Sequence, residues 1–401
     1  MKRIFIAAYH QSKFGKLMGM TVPEILRAAV EGACGEIGIA PDALDVASAG
    51  AACNQTLNQQ GLLAGLLAET PGLAGKMIES VENACASGGQ AVLSVAQKLQ
   101  LGFGETGIAV GYEKMRGPDG KVDGKRIGEV LGYYSHPDER PGKVFVFPHI
   151  FAEIMQQYMA AYGVSEEHLA RIAVEEYACA RHNPFAQMQG VELTLEQAMR
   201  IEGVNRYVVD GLPLKTYDCS QITDGYAALI LATEEGLARL GVRREDAVEL
   251  AGYGQATDPL GRSGRDVLKP QAALKAMQQA YAMAGASPAD VNIAEVHDCF
   301  TVMAALGAEV IGMAEPGRGA QFWVDGHARV NARCAINSSG GLIAKGHPVG
   351  ATGVAMIGWC FWQLAGRAPA PLQVREPRLA ATFNIGGPVC ASVCTVLRRA
   401  G

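Results

Sequence analysis

SVENACASGGQAVLSVAQKLQLG, the stretch from Ser80 to Gly102, contains the pattern that decides the class of fold. A strand-like run at Ile78–Ala84 leads into Cys85, and the following residues place apolar side chains at helical spacing on one face. We therefore expect Cys85 near the N-terminus of a helix, where unpaired backbone N–H groups and the helix dipole favour a thiolate. The pattern indicates a nucleophile, although a buried, inert side chain is the commoner role of a free cysteine.

On both sides of this stretch, short β-rich runs alternate with longer helical runs. The runs with strand or helix character in the first part of the chain are Ile4–Tyr9, Val22–Ile37, Val46–Ala51 and Leu62–Leu67. The alternation predicts an α/β protein. It resumes at Tyr226–Ala232 and Val248–Gly254, so a second α/β unit is expected from about Val248 to the end. A strand followed by a small-residue turn and a helix occurs again at Ala335–Ser339, which hints at an internal duplication.

A segment rich in Gly, Pro and charge interrupts the alternation at Arg116–Pro148, and an amphipathic helix is expected after it at Ile150–Tyr162. Long excursions of this kind in compact proteins are often lids or binding loops. Bulky side chains that could close or line a pocket cluster there: Tyr133, Tyr134, Phe145, Phe147, Phe151 and Met155. The predicted division is residues 1–247 and 248–401, with the excursion inside the first half.

Composition excludes several classes of function. The 401 residues are 49% apolar and 19% charged, with a net charge of -5, which is typical of a compact protein of two or three domains. No run of like charges suggests nucleic acid or an anionic membrane. The 10 cysteines are scattered without zinc-ligand spacing, so we expect thiols, no metal and a cytoplasmic location. The apolar stretches are too short for a signal peptide or a membrane span.

A second informative segment is NSSGGLIAKGHPVGATG, from Asn337 to Gly353. Its glycines and proline predict a shaped loop around His347, since they are too frequent for a helix. Lys345 is followed by Gly346 and not by Ser or Thr, which disfavours a phosphate-binding P-loop. A histidine held in a rigid loop is a candidate general base. A histidine that only satisfies loop carbonyls is an equally good interpretation of this segment alone.

Two further segments end strands with polar or reactive side chains. In AEVHDCF, Ala294–Phe300, His297 and Cys299 are two residues apart and would share a face of an extended chain; an incidental helix cap at Asp298 is the rival interpretation. In ATFNIGGPVCASVCTVL, a tight turn at 384–387 could offer backbone N–H groups to an oxyanion. Cys390 and Cys394 beyond it are interpreted as core residues.

Taken in this order, the four segments resemble the thiolase superfamily, and in particular its sterol-carrier-protein-2-type branch. NACASGG around Cys85 and GHPVGATG around His347 resemble the family's two most specific motifs, HDCF at His297–Phe300 resembles the mark of this branch, and DCSQITDGYAALIL resembles the run that closes the first half. The resemblance covers essentially the whole chain. It implies two similar αβαβα halves in a five-layered structure, with a loop domain at about 116–218 that covers acyl-CoA.

The resemblance also implies an acyltransferase mechanism and its participants. Cys85 would accept an acyl group from a coenzyme A thioester, with His347 as the base that activates it. His297 and His347 would bind the thioester oxygen of the second acyl-CoA, and the N–H groups of Cys85 and Gly386 would hold the acyl-enzyme oxyanion. Acyl-CoA and CoA are then substrates, with no permanently bound cofactor. A homodimer or dimer of dimers is implied, and some relatives use a small zinc-ribbon and OB-fold partner.

One departure from the family affects the chemistry. Asn384 stands where common thiolases carry a second catalytic cysteine, and an amide cannot move a proton at neutral pH. Cys299 is the predicted substitute. Without it, the site would resemble that of decarboxylating ketoacyl synthases, and a scaffolding subunit of low activity is a third interpretation. Retro-aldol relatives in steroid breakdown replace the thiolase residues by tyrosines, so Cys85 and His347 disfavour that reaction.

Overall fold

The computed structural model describes residues 2–400, in which ten strands form one hydrogen-bonded sheet. The strands are β1 (Phe5–Gln11), β2 (Val46–Gly50), β3 (Met77–Val81), β4 (Thr106–Glu113), β5 (Gly225–Ala232), β6 (Val248–Thr257), β7 (Ile293–Val296), β8 (Ala335–Ile336), β9 (Leu379–Gly386) and β10 (Ala391–Arg399). The helices are α1 (Val22–Gly35), α2 (Asn54–Leu57), α3 (Leu63–Ala68), α4 (Ser87–Gln100), α5 (Gly124–Gly132), α6 (Val146–Tyr162), α7 (Glu166–Ala180), α8 (Leu195–Met199), α9 (Glu234–Leu240), α10 (Gln271–Ala284), α11 (Thr301–Val310), α12 (Gly319–Val324) and α13 (Thr352–Leu364).

The strand order shows an internal duplication. One half of the sheet runs β3-β2-β4-β5-β1 and the other, from its own outer edge inward, runs β8-β7-β9-β10-β6, so the same relative order occurs twice. In both copies the outer three strands are parallel and the inner pairs are antiparallel. The halves meet where β1 pairs with β6 through only two residue pairs. The hint of duplication in the sequence is thus supported by the topology.

The helices complete a five-layered α/β arrangement. α4 and α13 pack against each other between the two halves of the sheet, where Val92 and Leu99 share an apolar core with Val354 and Phe361. α1 covers the outer face of the first half, and α10 and α11 cover that of the second. A Cβ on Gly353 would lie 2.2 Å from the backbone nitrogen of Gly89. A Cβ on Gly88 would in turn lie 3.0 Å from the backbone nitrogen of Val354, so the two central helices can approach this closely only because Gly88 and Gly353 lack side chains.

Four helices, α5 to α8, lie between β4 and β5, where the sequence predicts an excursion from the sheet. α6 contacts α11, and α7 contacts α11 and α12, so this segment packs on the second half of the chain. The Ser165 side chain caps α7 by accepting a hydrogen bond from the His168 backbone N–H. The division into residues 1–247 and 248–401, with a loop domain at about 116–218, stays a prediction.

The structure corrects two local expectations. The segment around His347 is not irregular throughout, because Gly341–Lys345 forms a single π-helical turn before the loop. The turn expected at 384–387 is also wrong: β9 continues to Gly386, and the chain reverses only after it. Among residues 2–400, no helix combines the length and apolarity needed to cross a membrane.

Candidate active site

Cys85 lies in the short turn between β3 and α4. The preceding residue, Ala84, has a φ of +48°, a left-handed conformation that is strained for a residue with a side chain. Ser87 stabilises the turn, since its hydroxyl donates to the Ala84 carbonyl at 2.6 Å and accepts from the Asn83 N–H at 2.8 Å. The strained turn presents the Cys85 thiol at the floor of a cavity.

His347 is oriented by Thr352, the first residue of α13. The Thr352 hydroxyl donates to the Pro348 carbonyl at 3.1 Å, so it is left to accept from Nδ1 of His347 at 2.7 Å. This assigns the ring proton of His347 to Nδ1. Its Nε2 therefore carries a lone pair and can accept a proton.

His297 follows β7 and reaches the same cavity from the second half of the chain. Its backbone N–H donates to the Phe383 carbonyl at 2.9 Å, and its Nδ1 lies 3.0 Å from the side-chain nitrogen of Asn384. The same nitrogen of Asn384 donates to the Cys85 carbonyl at 3.1 Å. Asn384 thus connects the residue that follows β7 to the turn that follows β3.

Cys85, His297 and His347 form one compact cluster. The sulfur and one nitrogen from each ring lie within 4.8 Å of one another, and the two rings meet edge to face with centroids 5.0 Å apart. Cysteine and histidine are also zinc ligands, and no other group with metal-binding geometry occurs within residues 2–400. The sequence predicts no metal here, and that stays a prediction.

Burial controls the protonation of the cluster. It raises the pKa of the Cys85 thiol to about 12, with the nearby Glu113 carboxyl adding to the effect. It lowers the pKa of His347 to about 3 and that of His297 well below its usual range. Burial thus opposes the thiolate that the position before α4 was expected to favour, and it favours a neutral thiol facing neutral imidazoles. A nucleophilic role for Cys85 would therefore require transfer of the thiol proton.

Glu113, at the end of β4, joins the segment that follows β2 to the loop that carries His347. Its carboxyl accepts from the backbone N–H groups of Ala52 and Cys53 at 3.0 Å each, and from that of Gly350 in the His347 loop at 3.1 Å. Burial nevertheless raises the pKa of Glu113 to about 7. One buried carboxyl thus fixes the His347 loop to the first half of the sheet.

A second buried acid lies under the other end of that loop. Asp298 accepts from the N–H groups of Leu342 at 2.8 Å and Ile343 at 3.0 Å, so it holds the π-helical turn and does not cap α11. The neighbouring Glu176 of α7 accepts from the Asn337 side chain at 2.9 Å. Burial and the adjacent Asp298 carboxyl raise the pKa of Glu176 well above its usual range. The pair is best described as sharing a proton.

The cluster opens into a cavity of about 250 Å³. Cys85, His297, Cys299 and His347 all line it, so four predicted site residues come together. Gly386 lies beside the Cys85 turn, since a Cβ there would be 2.2 Å from the Asn83 carbonyl oxygen. The other lining residues are Met115, Gly124, Ile127, Gly128, Leu131, Phe145, Phe147, Pro148, Val208, Thr216, Cys219, Ser220, Gln221, Ile222, Phe300, Val349 and Gly387.

Comparison with known proteins agrees with this geometry. The family model for the thiolase N-terminal domain matches residues 4–235, and the thiolase C-terminal domain-like model matches 254–399. The chain belongs to the thiolase family. Acetyl-CoA acetyltransferase of Methanothermobacter thermautotrophicus is 32% identical over 96% of this chain and 97% of its own length. Human sterol carrier protein 2 is 30% identical over 96% of this chain and 70% of its own length.

These matches confirm the predicted sterol-carrier-protein-2-type branch and an acyltransferase that uses coenzyme A thioesters. The fold has also been seen in the solved structure of the "Ltp2-ChsH2(DUF35) aldolase", with a TM-score of 0.80, 20% identity, and coverage of 99% of this thiolase and 98% of that chain. At that identity the likeness concerns the fold alone. The predicted five-layered thiolase fold is confirmed.

Several residues of this thiolase site were not predicted from the sequence. Glu113 ends an apolar strand, and a charge in that place was the signal that could have found it. Thr352 lies within the GHPVGATG motif but was not assigned a role. Cys219 lines the cavity beside Cys299; it lies within the DCSQITDGYAALIL run but was not assigned a role. Of the bulky residues expected at the pocket, Phe145 and Phe147 line it, whereas Phe151 is fully buried behind them.

Proposed function

We propose that this thiolase forms an acyl-enzyme on Cys85. The observation that carries the proposal is the placement of the Cys85 sulfur within 4.8 Å of both a His347 and a His297 nitrogen. The thiol proton passes to Nε2 of His347 as the sulfur attacks the thioester carbonyl carbon. The bond from that carbon to the sulfur of coenzyme A then breaks, and the leaving thiolate takes the proton from His347.

The backbone N–H groups of Cys85 and Gly386 are proposed to bind the oxyanion of this step. Gly386 is suited to the role by position, because its lack of a side chain lets β9 approach the Asn83 carbonyl. His297 would then donate to the thioester oxygen of the second acyl-CoA, as would His347 once its Nε2 carries a proton. The α-carbon of that acyl-CoA, after losing a proton, attacks the acyl carbon, the bond from that carbon to the Cys85 sulfur breaks, and the sulfur takes up a proton. The product is a 3-ketoacyl-CoA, and the same steps in reverse give thiolytic cleavage.

Cys299 is the proposed acid or base for the α-carbon. Burial raises the pKa of Cys299 well above its usual range, and the neighbouring Cys85 adds to the effect. The thiol form therefore dominates, which suits Cys299 to donate a proton to the carbanion that leaves when a 3-ketoacyl-CoA is cleaved. In the synthetic direction Cys299 must first give up its proton.

The residues that line the cavity favour an uncharged, apolar acyl group as the substrate. Apart from the histidines and cysteines it has no side chain that carries charge, and three phenylalanines contribute to it: Phe145, Phe147 and Phe300. A cavity of roughly 150 Å³ accommodates benzene, so about 250 Å³ leaves room for one aromatic ring or a medium-length alkyl chain. A carboxylate-bearing acyl group would lose its hydration there without a compensating cation.

Mass spectrometry of the intact protein after incubation with acetyl-, hexanoyl-, benzoyl- and succinyl-CoA tests these proposals. We expect acyl adducts on Cys85, with hexanoyl and benzoyl formed faster than succinyl. Cys85→Ala should form none, whereas Cys179→Ala, which removes a partly buried thiol outside the cavity, should behave as the unmodified enzyme. Acylation at another cysteine, or none with any donor, would refute the acyl-Cys85 mechanism.

A second function, decarboxylating condensation, is favoured by Asn384 alone. A malonyl-type donor generates its carbanion by losing carbon dioxide, so it needs no base in place of the missing cysteine. Exchange of acetyl-CoA α-protons with deuterated solvent separates the two functions. Exchange, or CoA-dependent cleavage of a 3-ketoacyl-CoA, supports the thiolase proposal. Turnover with malonyl thioesters only would support the second, and acylation without any turnover would support a subunit of low activity.

We also propose that the chain assembles into a homodimer or a dimer of dimers in the cytoplasm. β3 is an edge strand that pairs only with β2, and its residues are partly or fully exposed at Met77–Val81. An unpaired edge of this kind favours pairing with a second copy. A small partner of the DUF35 kind is proposed as well, because the Ltp2-ChsH2(DUF35) aldolase is named for two components. Light scattering during size-exclusion chromatography would show a monomer if the dimer proposal fails.

A further inference from the structure

The orientation of the Asn384 amide is fixed by its neighbours. Its side chain lies 3.1 Å from the Cys85 carbonyl oxygen, an atom that only accepts hydrogen bonds. The amide group must therefore present its nitrogen there, because the reverse orientation would bring two oxygens together. That nitrogen has two hydrogens, and the second points at Nδ1 of His297, 3.0 Å away.

The packing around Asn384 prevents the amide from rotating away. Its Oδ1 occupies space between the first turns of α4 and α13, where a Cβ on Gly89 would lie 2.8 Å from that oxygen. A Cβ on Gly353 would meet the same oxygen. Oδ1 is buried and accepts no hydrogen bond from any of residues 2–400. An unpaired buried oxygen lowers stability. The two hydrogen bonds of the amide nitrogen are therefore made at the cost of leaving Oδ1 without a partner.

The consequence concerns the ring of His297. Since Nδ1 accepts from Asn384 and the ring is neutral, its proton must reside on Nε2. Nε2 is buried and has no hydrogen-bond partner among residues 2–400, and it faces the cluster with Cys85 and His347. His347 has the opposite tautomer, because Thr352 accepts from its Nδ1. One histidine therefore offers a proton to the cavity while the other offers a lone pair.

We propose that Asn384 is a positioning residue that fixes His297 as a hydrogen-bond donor toward the thioester oxygen of the second acyl-CoA. The residue at the place of the family's second cysteine then serves catalysis through the ring of its neighbour and not through its own proton transfer. The proposal rests on the proposed function for its role in the reaction. The tautomer itself does not depend on any turnover.

Among the groups that face His297, Asn384 is the one that sets the tautomer of the ring. Cys85 and Cys299 carry neutral thiols, and His347 is a neutral imidazole. The Asp298 carboxyl, adjacent in sequence, is occupied by the N–H groups of Leu342 and Ile343. No other side chain among the described residues hydrogen-bonds either ring nitrogen of His297.

Nitrogen NMR of enzyme labelled with ¹⁵N-histidine tests the tautomers directly, with the His297 and His347 signals assigned from single variants. We expect His297 as the Nε2–H tautomer and His347 as the Nδ1–H tautomer across pH 6–8. An Nδ1–H tautomer or an imidazolium at His297 in the unmodified enzyme would overturn the proposal, and this outcome does not depend on whether Asn384→Asp folds.

Asn384→Asp tests the consequence for catalysis. The new carboxylate can only accept, so it should draw the neutral ring to Nδ1–H and leave Nε2 bare, while it raises the pKa of His297. Below the new pKa the imidazolium still offers Nε2–H; above it the donor is lost. The rate of 3-ketoacyl-CoA cleavage should therefore fall as pH rises, by up to roughly 10²–10³ in kcat, the usual effect of removing one oxyanion donor.

Thr382→Val is the matched control, because Thr382 lies two residues earlier on β9 and its buried hydroxyl bonds only that of Thr395 at 2.6 Å. It should change stability without changing the pH profile or the His297 signal. The same pH profile for Asn384→Asp and the unmodified enzyme would refute the proposal. If Cys85 accepts no acyl group but the tautomers are as expected, the proposed function fails while the role of Asn384 in setting the ring survives.

Discussion

Replacement of Gly386 by alanine should displace the Cys85 turn while leaving every hydrogen-bonding group in place. A Cβ at position 386 would lie 2.2 Å from the Asn83 carbonyl oxygen, and real Cβ atoms essentially never come closer than 3.0 Å to such a neighbour. The end of β9 or the 83–84 turn must therefore move by at least about 0.8 Å, the difference between these two distances.

That displacement has two measurable effects. Because Ala84 is already strained at φ +48°, the turn has little freedom to adjust, and overpacking should cost about 1–3 kcal/mol of unfolding free energy. A 1 Å misplacement in an active site can cost roughly 10²-fold in rate. We expect acylation of Cys85 to slow by about ten- to a hundredfold, although the Gly386 N–H is retained.

The assay is single-turnover acylation of Cys85 followed by mass spectrometry, together with urea unfolding. Gly35→Ala is the matched control, since a Cβ there meets nothing within 4 Å at the end of α1. If Gly386→Ala acylates within threefold of the unmodified enzyme at unchanged stability, the argument that this glycine sets the position of Cys85 is wrong.

Three other perturbations act on contacts of the same site. Burial holds the pKa of His347 at about 3 in the folded chain against 6.5 when unfolded, so the unfolded state binds more protons between these values. Stability should therefore fall as pH drops below about 6.5, by up to about 1.4 kcal/mol per pH unit. The free energy of unfolding, measured with urea at several pH values, should depend less steeply on pH in His347→Asn. Thr352→Val should leave the Nδ1–H of His347 unpaired and slow Cys85 acylation, within the roughly 10²–10⁴ that a general base contributes, while Thr352→Ser should retain most of the rate; equal rates would exclude the Thr352 contact as the orienting one. Gly341→Ala should lose about 1–3 kcal/mol of stability, because its Cβ would meet Glu176 Oε1 at 2.6 Å and also Asp298, and circular dichroism melts compared with Gly35→Ala would detect it.

Much of the fold could be predicted because local patterns agree with it. Strand β5 was expected at Tyr226–Ala232 and lies at Gly225–Ala232, and strand β6 was expected at Val248–Gly254 and lies at Val248–Thr257. Apolar periodicity with Gly or Pro at the ends is sufficient for such elements. It fails for Gly341–Lys345, where glycines suggested a loop, because buried Asp298 accepts hydrogen bonds from the backbone N–H groups of a π-helical turn.

The site could be predicted only in part, because hydrogen bonds between residues far apart in the sequence hold it together. The motifs identified Cys85, His297 and His347. The hydrogen bond from Asn384 to Cys85 joins residues 299 apart in the chain, and the one from Gly350 to Glu113 joins residues 237 apart. No local pattern encodes such pairs. The same limit applies to the protonation of Cys85: a helix N-terminus that favours a thiolate is visible in the sequence, whereas the burial that opposes it is not.

The repeated strand order places the proposed nucleophile, Cys85, and the proposed base, His347, at equivalent positions of the two copies. β3 leads through the Cys85 turn into α4, and β8 leads through the His347 loop into α13, so each residue precedes the central helix of its own copy. Topologically equivalent segments thus contribute different chemistry to one cavity, a thiol from the short turn before α4 and an imidazole from the longer loop before α13. The first copy supplies Cys85 but neither histidine of the cluster, and the second supplies both histidines but not Cys85, so the cluster exists only where the two copies meet.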